Sequence, residues 1–256
     1  MRYTSDISFA NANITYATEG RIDMPAFFKD YDKFYGTGQR NEQGKTLDEF
    51  LDSYDTSQYE TPSNTVDTLV FAGKDRDIKK GLRLLLIKRR NHPSIGYYAL
   101  PGGFVEMREN LMDAALRELK EETGVDNIEV EQLATYGDYK RDPRTRIITT
   151  AYVAYVNEDE LRVQASDDAA YAGWFNVSDT LISSDEYVEN GQKRIKEIHK
   201  LTLNEDGKEE IYANVLVKYN KEGILRNKTY EVVESDKIAA DHGAIILNGY
   251  HRIMGM

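Results

Sequence analysis

The stretch that decides the fold lies at residues 102–125 and reads Gly102-Gly-Phe-Val-Glu-Met-Arg-Glu-Asn-Leu-Met-Asp-Ala-Ala-Leu-Arg-Glu-Leu-Lys-Glu-Glu-Thr-Gly-Val125. Apolar residues recur at helical spacing and form one face: Leu111, Met112, Ala115, Leu116 and Leu119. Asn110 is the expected N-cap, and Gly124 supplies the left-handed residue that ends the helix. The stretch therefore predicts a glycine loop followed by a helix over residues 111–123.

Three carboxylates share a second face of this helix, because Glu118, Glu121 and Glu122 stand at positions i, i+3 and i+4. A like-charge pair at i and i+4 costs roughly 0.2–0.5 kcal/mol in an isolated helix, and a cation removes that cost. Carboxylate ligands without Cys or His favour Mg²⁺ or Mn²⁺ over zinc. Glu109 lies in the loop that enters the helix, and Arg117 can hold an acid by a forked hydrogen bond. A solvated acidic face is the alternative for the glutamates taken alone.

Other apolar segments predict strands on both sides of this helix. They cover residues 65–72, 82–88, 97–100, 128–136, 146–156 and 172–177, with two or three more between 197 and 233. A closing helix is expected over residues 239–253. A few helices among mostly antiparallel or mixed strands indicate an α+β fold with α/β/α layers.

The spacing of the charged residues resembles the signature of the Nudix (MutT/Nudix) hydrolases. Five residues separate Gly103 from Glu109, seven separate Glu109 from Arg117, and residues 117–125 match at every specified position. The context also agrees, since a strand and a glycine loop precede a helix that ends at Gly124. The resemblance implies a Nudix fold: an α/β/α sandwich with a mixed sheet, here with an inserted antiparallel β-hairpin or small sheet.

The resemblance also implies a reaction, the Mg²⁺-dependent hydrolysis of a nucleoside diphosphate linked to another moiety by a metal-activated water, with Mn²⁺ as an alternative ion. By position, Glu118 and Glu122 resemble the principal metal ligands, and Glu121 resembles a further or water-mediated one. Glu109 resembles the acid that pairs with Arg117 and orients the site.

Two glycines and the general base complete the site that the resemblance implies. The backbone carbonyl of Gly102 is similar to one that can complete the metal shell, and Gly103 is the fixed glycine of the loop. The general base stays open between one of the glutamates and an acid on a distant loop.

Segments outside the signature resemble the ADP-ribose pyrophosphatase branch and the related NAD-metabolism repressors. They are residues 62–67, 88–90, 92–93, 99–103, 137–144, 174–175 and 238–247. The leading function is hydrolysis of ADP-ribose to AMP and ribose 5-phosphate. The alternatives are a non-catalytic ligand sensor of NAD metabolism and a nucleoside triphosphate sanitising hydrolase. A DNA-binding repressor is disfavoured, because few residues follow the last helix and the net charge is −11.

Six residues near the predicted loop are expected to bind substrate. Arginine suits bidentate phosphate contacts, and tyrosine can stack on a base. The six are Arg89, Arg90, Tyr98, Arg141, Arg144 and Arg146. An ordinary surface turn or a packed aromatic is the alternative for each. The four histidines, in contrast, lack metal-ligand spacing and are interpreted as structural or surface residues: His92, His199, His242 and His251.

The 256-residue chain is predicted to comprise an N-terminal extension, residues 1–58, and a Nudix domain, residues 59–256, with a strand-rich insert near 183–235. Thr46 and Glu49 predict a capping box in the extension. No Cys is present, which excludes disulfides and cysteine-ligated metals. The absence of a long apolar stretch leads us to expect no membrane partner and a cytoplasmic location. The acidic surplus argues against nucleic acid as a partner, and the family resemblance favours a homodimer.

Overall fold

The computed structural model describes residues 27–28, 30–73, 78, 81–157, 159, 161, 163–165, 169–222 and 228–256. The chain divides into two units, Met1–Glu60 and Thr61–Met256. Residues 1–26 of the predicted extension lie outside the described residues. The predicted division between an extension of residues 1–58 and a domain of residues 59–256 stays a prediction.

The first unit contains a 3-10 helix, Asp32–Phe34, and a short helix α1, Leu47–Asp52. The capping box predicted at the start of α1 is confirmed. The Glu49 amide donates to Thr46 Oγ1 at 3.3 Å, and the Thr46 amide donates to Glu49 Oε2 at 2.8 Å. The hydroxyl of Tyr31 also donates to Asp48 at 2.9 Å. Local polar contacts of this kind hold the segment, in which no described residue of either helix is buried.

The second unit is built on one ten-stranded mixed sheet with two helices. The strands are β1 (Ser63–Gly73), β2 (Arg83–Arg89), β3 (Tyr98–Ala99), β4 (Gly102–Phe104), β5 (Glu131–Tyr136), β6 (Ile147–Asn157), β7 (Ala169–Glu189), β8 (Gln192–Asn204), β9 (Glu210–Asn220) and β10 (Thr229–Asp236). The helices are α2 (Leu111–Thr123) and α3 (His242–Met254). The strand order is β10-β9-β8-β7-β2-β1-β6-β5, with β3 beside β2 and β4 beside β1. β1 and β6 pair in parallel, and the other pairs are antiparallel.

The two helices cover opposite faces of the sheet, as the alternation along β1 shows. Side chains of neighbouring strand residues point to opposite faces. Val66 packs in one buried cluster with Ala114 of α2, whereas Leu69 and Phe71 pack in another with Ile245 of α3. The predicted α/β/α sandwich with a mixed sheet is therefore confirmed.

The strand-rich segment extends the main sheet instead of forming a separate one. β7 is 21 residues long, although only residues 172–177 were expected to form a strand. Its second half pairs with β8 from Leu181↔His199 to Glu189↔Gln192, beyond the part that pairs with β2. Because its exposed residues are mostly polar, this half lacks the apolar alternation by which a strand is recognised from sequence.

Within the described residues, we find no helix with the length and apolar character needed to span a membrane.

Gly249 allows α3 to approach the sheet closely, and this gives a test of the packing. A Cβ at Gly249 would lie 2.5 Å from Leu69 Cδ2 and 3.3 Å from Phe71 Cε2, both in the core. We expect Gly249→Ala to lower the free energy of unfolding by about 1–3 kcal/mol through overpacking, despite the better helix propensity of alanine. Arg252→Ala, at an exposed position of the same helix, should change it by less than about 0.5 kcal/mol. Urea denaturation measures both, and equal midpoints would contradict this packing.

Candidate active site

The glycine loop lies between β1 and α2, and its residues Gly102 and Gly103 have no side chains. β4 pairs with β1 so that Gly102 faces Asp67 and Gly103 faces Val66. A Cβ at Gly102 would lie 2.1 Å from the carbonyl oxygen of Val66, and a Cβ at Gly103 would lie 2.5 Å from the carboxylate of Glu118. Only glycine therefore lets the loop pair with β1 while the helix brings Glu118 against it.

The helix that carries the acids has the predicted bounds. It begins at Leu111 and ends at Thr123, and Gly124 ends it in the left-handed conformation with φ of 71°. Asn110 occupies the N-cap position, but its side chain makes no capping hydrogen bond there and instead donates to Asp113 at 2.8 Å.

Arg117 joins three acids around one guanidinium. Its Nε and Nη2 donate to the two oxygens of Glu109 at 2.8 and 2.9 Å, a bidentate fork. Its Nη1 donates to Glu118 at 2.8 Å and to Glu121 at 3.1 Å. A hydrogen bond from Nη2 to the carbonyl oxygen of Phe104, 3.1 Å long, ties the cluster to the glycine loop. The hydrogen bond from Arg117 lowers the pKa of Glu109.

Glu122 is the most deeply buried acid of the group. Burial raises its pKa to about 8; the amide of Gly102, which donates to Glu122 Oε2 at 2.9 Å, opposes this rise, and the nearby Glu118 adds to it. Burial also raises the pKa of Glu118, with Arg117 acting in the opposite direction. These two neighbouring carboxyl groups therefore resist ionisation. A bound cation would favour their ionised forms.

The donor set fits a hard divalent cation such as Mg²⁺ or Mn²⁺. Glu118 and Glu122 offer carboxylate oxygens, and Gly103 leaves the space beside Glu118 free of a side chain. Glu121 is half exposed and bound to Arg117. In the described part of the chain, no three glutamates each place one carboxylate oxygen within 4.8 Å of the others. The Glu118–Glu122 pair is therefore the centre of the candidate metal site.

A cavity of about 390 Å³ opens beside this pair. Its volume lies within the range of about 300–1,000 Å³ that small-molecule sites occupy. Glu118 and Glu122 line it, and four of the six predicted substrate-binding residues line it as well: Arg89, Arg90, Arg141 and Arg144. The cavity thus combines a candidate cation site with fixed positive charge.

Arg141 and Arg144 are each held in place by a carboxylate. Arg141 is almost fully buried and forms a fork with Asp241, at 2.9 and 3.0 Å. Arg144 forms a fork with Asp142, at 3.0 and 2.8 Å, and its guanidinium lies 5.3 Å from the centre of the Phe104 ring. Such pairs fix the orientation of a guanidinium before a ligand binds.

Tyr98 and Arg146, the other two predicted substrate-binding residues, are not among the residues that line this cavity. The Tyr98 ring packs edge-on against Phe175, with 5.0 Å between ring centres. Arg146 is exposed just before β6. A contact of either residue with substrate stays a prediction.

Asp67 and His242 line the cavity but were not among the predicted site residues. Asp67 is buried in β1, where it accepts a hydrogen bond from Thr149 Oγ1 at 2.6 Å and lies 3.9 Å from Arg141. His242 Nδ1 accepts from the Leu100 amide at 3.0 Å, and its Nε2 lies 3.8 Å from Asp67. Asp67 could have been predicted as a site residue, because it is an acid within an apolar strand. His242 could not, because its place in the site depends on contacts between distant segments.

Comparison with known proteins agrees with this architecture. A family model described as NUDIX domain matches residues 61–197, more than half of the chain. The chain belongs to this family. A MutT/nudix family protein from Enterococcus faecalis has a similar structure, with a TM-score of 0.58 and 29% identity over 90% of this chain and 76% of that one.

Two curated relatives match shorter stretches. The chain is 44% identical to the ADPR responsive transcriptional repressor NtrR of Acinetobacter baylyi over 111 residues, which are 42% of each protein. It is 42% identical to the ADP-ribose pyrophosphatase of Methanocaldococcus jannaschii over 104 residues, 41% of this chain and 60% of that enzyme. The matches thus span about half the length of these relatives.

The raised pKa of Glu122 predicts how pH changes stability. The stabilising contribution of the protonated side chain is complete below its ordinary pKa of 4.5 and is lost as pH rises through about 8. Mg²⁺ favours the ionised form, so the rise in melting temperature on adding Mg²⁺ should be larger at about pH 8 than at about pH 6. Glu122→Gln should remove most of this difference, while Glu131→Gln, at an exposed position of β5, should keep it. An equal Mg²⁺ effect at both pH values in the unmodified protein would contradict the assignment.

Proposed function

We propose that this protein is a divalent-cation-dependent pyrophosphohydrolase that cleaves ADP-ribose to AMP and ribose 5-phosphate. The observation that carries the proposal is the placement of the Glu118–Glu122 pair against the glycine loop, in a cavity that arginines also line. The wider substrate class is a nucleoside diphosphate linked to another moiety. Likeness to the Methanocaldococcus jannaschii ADP-ribose pyrophosphatase supports the choice within that class.

In this proposal, Glu118 and Glu122 hold Mg²⁺, or Mn²⁺, with the carbonyl of Gly102 and the side chain of Glu121 as further ligands. A divalent cation bound there would polarise a pyrophosphate oxygen and lower the pKa of a bound water. Arg117 keeps the acids ordered, because its fork to Glu109 leaves Nη1 free to orient Glu118 and Glu121. The ligands are thus positioned before the substrate arrives.

The arginines of the cavity would bind the phosphates. Arg144, one of these arginines, is partly exposed, so it can add a phosphate contact while keeping its fork to Asp142. Arg141 is more buried and would act by its charge and by holding Asp241. A homodimer is proposed on the ground of the family resemblance alone, and a cytoplasmic location on the ground of the sequence composition alone.

A ligand sensor is the second candidate, favoured by one observation. The relative from Acinetobacter baylyi is described as an ADPR responsive transcriptional repressor, and it matches this chain at 44% identity. A sensor would bind ADP-ribose and leave it intact. Calorimetric binding of ADP-ribose in the presence of Mg²⁺, without any release of AMP, would support the sensor and contradict the hydrolase.

Glu122→Gln tests the hydrolase directly, because it keeps the size of the side chain and removes a buried ligand charge. We expect turnover of ADP-ribose to fall on the order of 10²–10⁴-fold. The exposed Glu131→Gln serves as the matched control and should retain full turnover. A coupled assay of AMP release measures both, and normal turnover in Glu122→Gln would mean that catalysis takes place without this ligand.

Arg144→Gln tests the phosphate-binding side. Loss of one charged hydrogen-bonding group should raise the KM for ADP-ribose by about 10–100-fold. The kcat should change much less, since the side chain of Arg144 donates its hydrogen bonds to Asp142 and not to Glu118 or Glu122. Lys140→Gln removes an exposed charge from the same turn and should leave both constants unchanged. A similar KM in the two variants would exclude Arg144 from substrate binding.

A further inference from the structure

A second group of potential metal ligands lies apart from the candidate active site. Asp179 of β7, His199 of β8 and His251 of α3 each present a ligand atom, and these atoms lie within 4.8 Å of one another. His199 Nδ1 is 2.9 Å from each oxygen of Asp179, and His251 Nε2 is 3.0 Å from Asp179 Oδ2. We call these three residues the Asp179 cluster. None of them lines the cavity beside Glu118 and Glu122.

The cluster is closed to solvent. The exposed fractions of the side chains are 5% for Asp179, 6% for His199 and 2% for His251. The two imidazole rings meet edge-on, with 5.0 Å between their centres. Because the three residues belong to two neighbouring strands and a helix packed on the sheet, their positions are set by the fold rather than by one flexible loop.

Each imidazole also has a partner on its other ring nitrogen. His199 Nε2 lies 3.4 Å from Glu197 Oε2, and His251 Nδ1 lies 3.1 Å from the Tyr230 hydroxyl. The Tyr219 hydroxyl in turn donates to Glu197 at 3.1 Å. Metal-ligating histidines characteristically use the second nitrogen in this way, to fix the tautomer and the ring orientation. With an ion bound, each histidine can donate from this second nitrogen and direct the lone pair of its other nitrogen to the ion.

The charges around the cluster favour a cation. Two carboxylates, Asp179 and Glu197, face two imidazoles in this largely buried place, and no Lys or Arg forms an ion pair with either acid among the described residues. A divalent ion bound by neutral imidazoles would balance the charge of both acids.

We propose that Asp179, His199 and His251 bind a structural Zn²⁺ ion, a site separate from the catalytic cation. Two imidazole nitrogens and one carboxylate oxygen suit zinc better than Mg²⁺. Ligand atoms in a tetrahedral zinc site lie about 3.3 Å apart, given bonds of roughly 2.0–2.1 Å. The observed separations of 2.9 and 3.0 Å reach this value after shifts of a few tenths of an ångström. A water molecule or the second Asp179 oxygen would take the fourth position.

The ion would tie the β7–β8 hairpin to the closing helix. Asp179 and His199 lie where these strands pass from the core to the exposed half of the hairpin, and His251 lies near the end of α3. A cross-link at this point stabilises the packing of the hairpin against the helix, because the ion binds the folded chain and not the unfolded one.

Metal content tests the proposal on the full chain, purified without a histidine tag and dialysed after incubation with Zn²⁺. Elemental analysis in excess Mg²⁺ should find about one zinc per chain, bound at least tenfold more weakly in Asp179→Asn. Asp185→Asn, a matched change at an exposed position of the same strand, should retain the zinc. Glu122→Gln should also retain the zinc, which would show that the ion is not bound in the candidate active site. Zinc that stays in Asp179→Asn, or no zinc in the unmodified protein, would overturn the proposal and leave a hydrogen-bonded cluster.

Two further measurements guard against a variant that fails to fold. Zn²⁺ should raise the melting temperature of the unmodified protein by on the order of 5 °C, and His199→Gln should lose that shift. Co²⁺ in place of Zn²⁺ should give the intense visible absorption of a tetrahedral site in the unmodified protein, with no variant needed. An octahedral cobalt spectrum, or no spectral change, would contradict the site.

Discussion

The contact between α2 and the glycine loop is the constraint on which the rest of the site depends. Glu118 reaches the loop because Gly103 has no side chain, and Glu122 is buried where the Gly102 amide donates to it. Burying two carboxylates side by side is unfavourable unless protons or a cation neutralise them. The fold therefore keeps the two carboxylates in a place where a divalent ion would lower the electrostatic cost of their burial. Arg117 pairs with the surrounding acids and leaves Glu122 available to the ion.

The sheet and the opposite helix hold the second half of the site. β1 carries Asp67 into the cavity, and the first residues of α3 bring His242 to the same place. The fork between Arg141 and Asp241 connects the turn before β6 with the start of α3. Residues that are far apart in the sequence are thus fixed against one another around the cavity, which is the preorganisation that catalysis by positioning requires.

The parts that were predictable from sequence are those that depend on local chemistry. The bounds of α2 and its end at Gly124 are confirmed. They were predictable because apolar periodicity and a left-handed glycine are short-range signals. The length of β7 was not predictable, since strand pairing with β8, and not apolar alternation, defines its polar second half. The burial of Arg141 and the meeting of His199 with His251 depend on tertiary contacts, so neither the fork to Asp241 nor the Asp179 cluster has a signature in residue spacing.

The central claim is that the carboxylate pair supports cleavage of a pyrophosphate bond. The most direct test is ³¹P nuclear magnetic resonance of ADP-ribose mixed with the unmodified protein, before and after Mg²⁺ is added. We predict that the pyrophosphate signals persist without the ion and, after it is added, give way to the two monophosphate signals of AMP and ribose 5-phosphate. Pyrophosphate signals that persist with saturating Mg²⁺ and with Mn²⁺ would contradict the account.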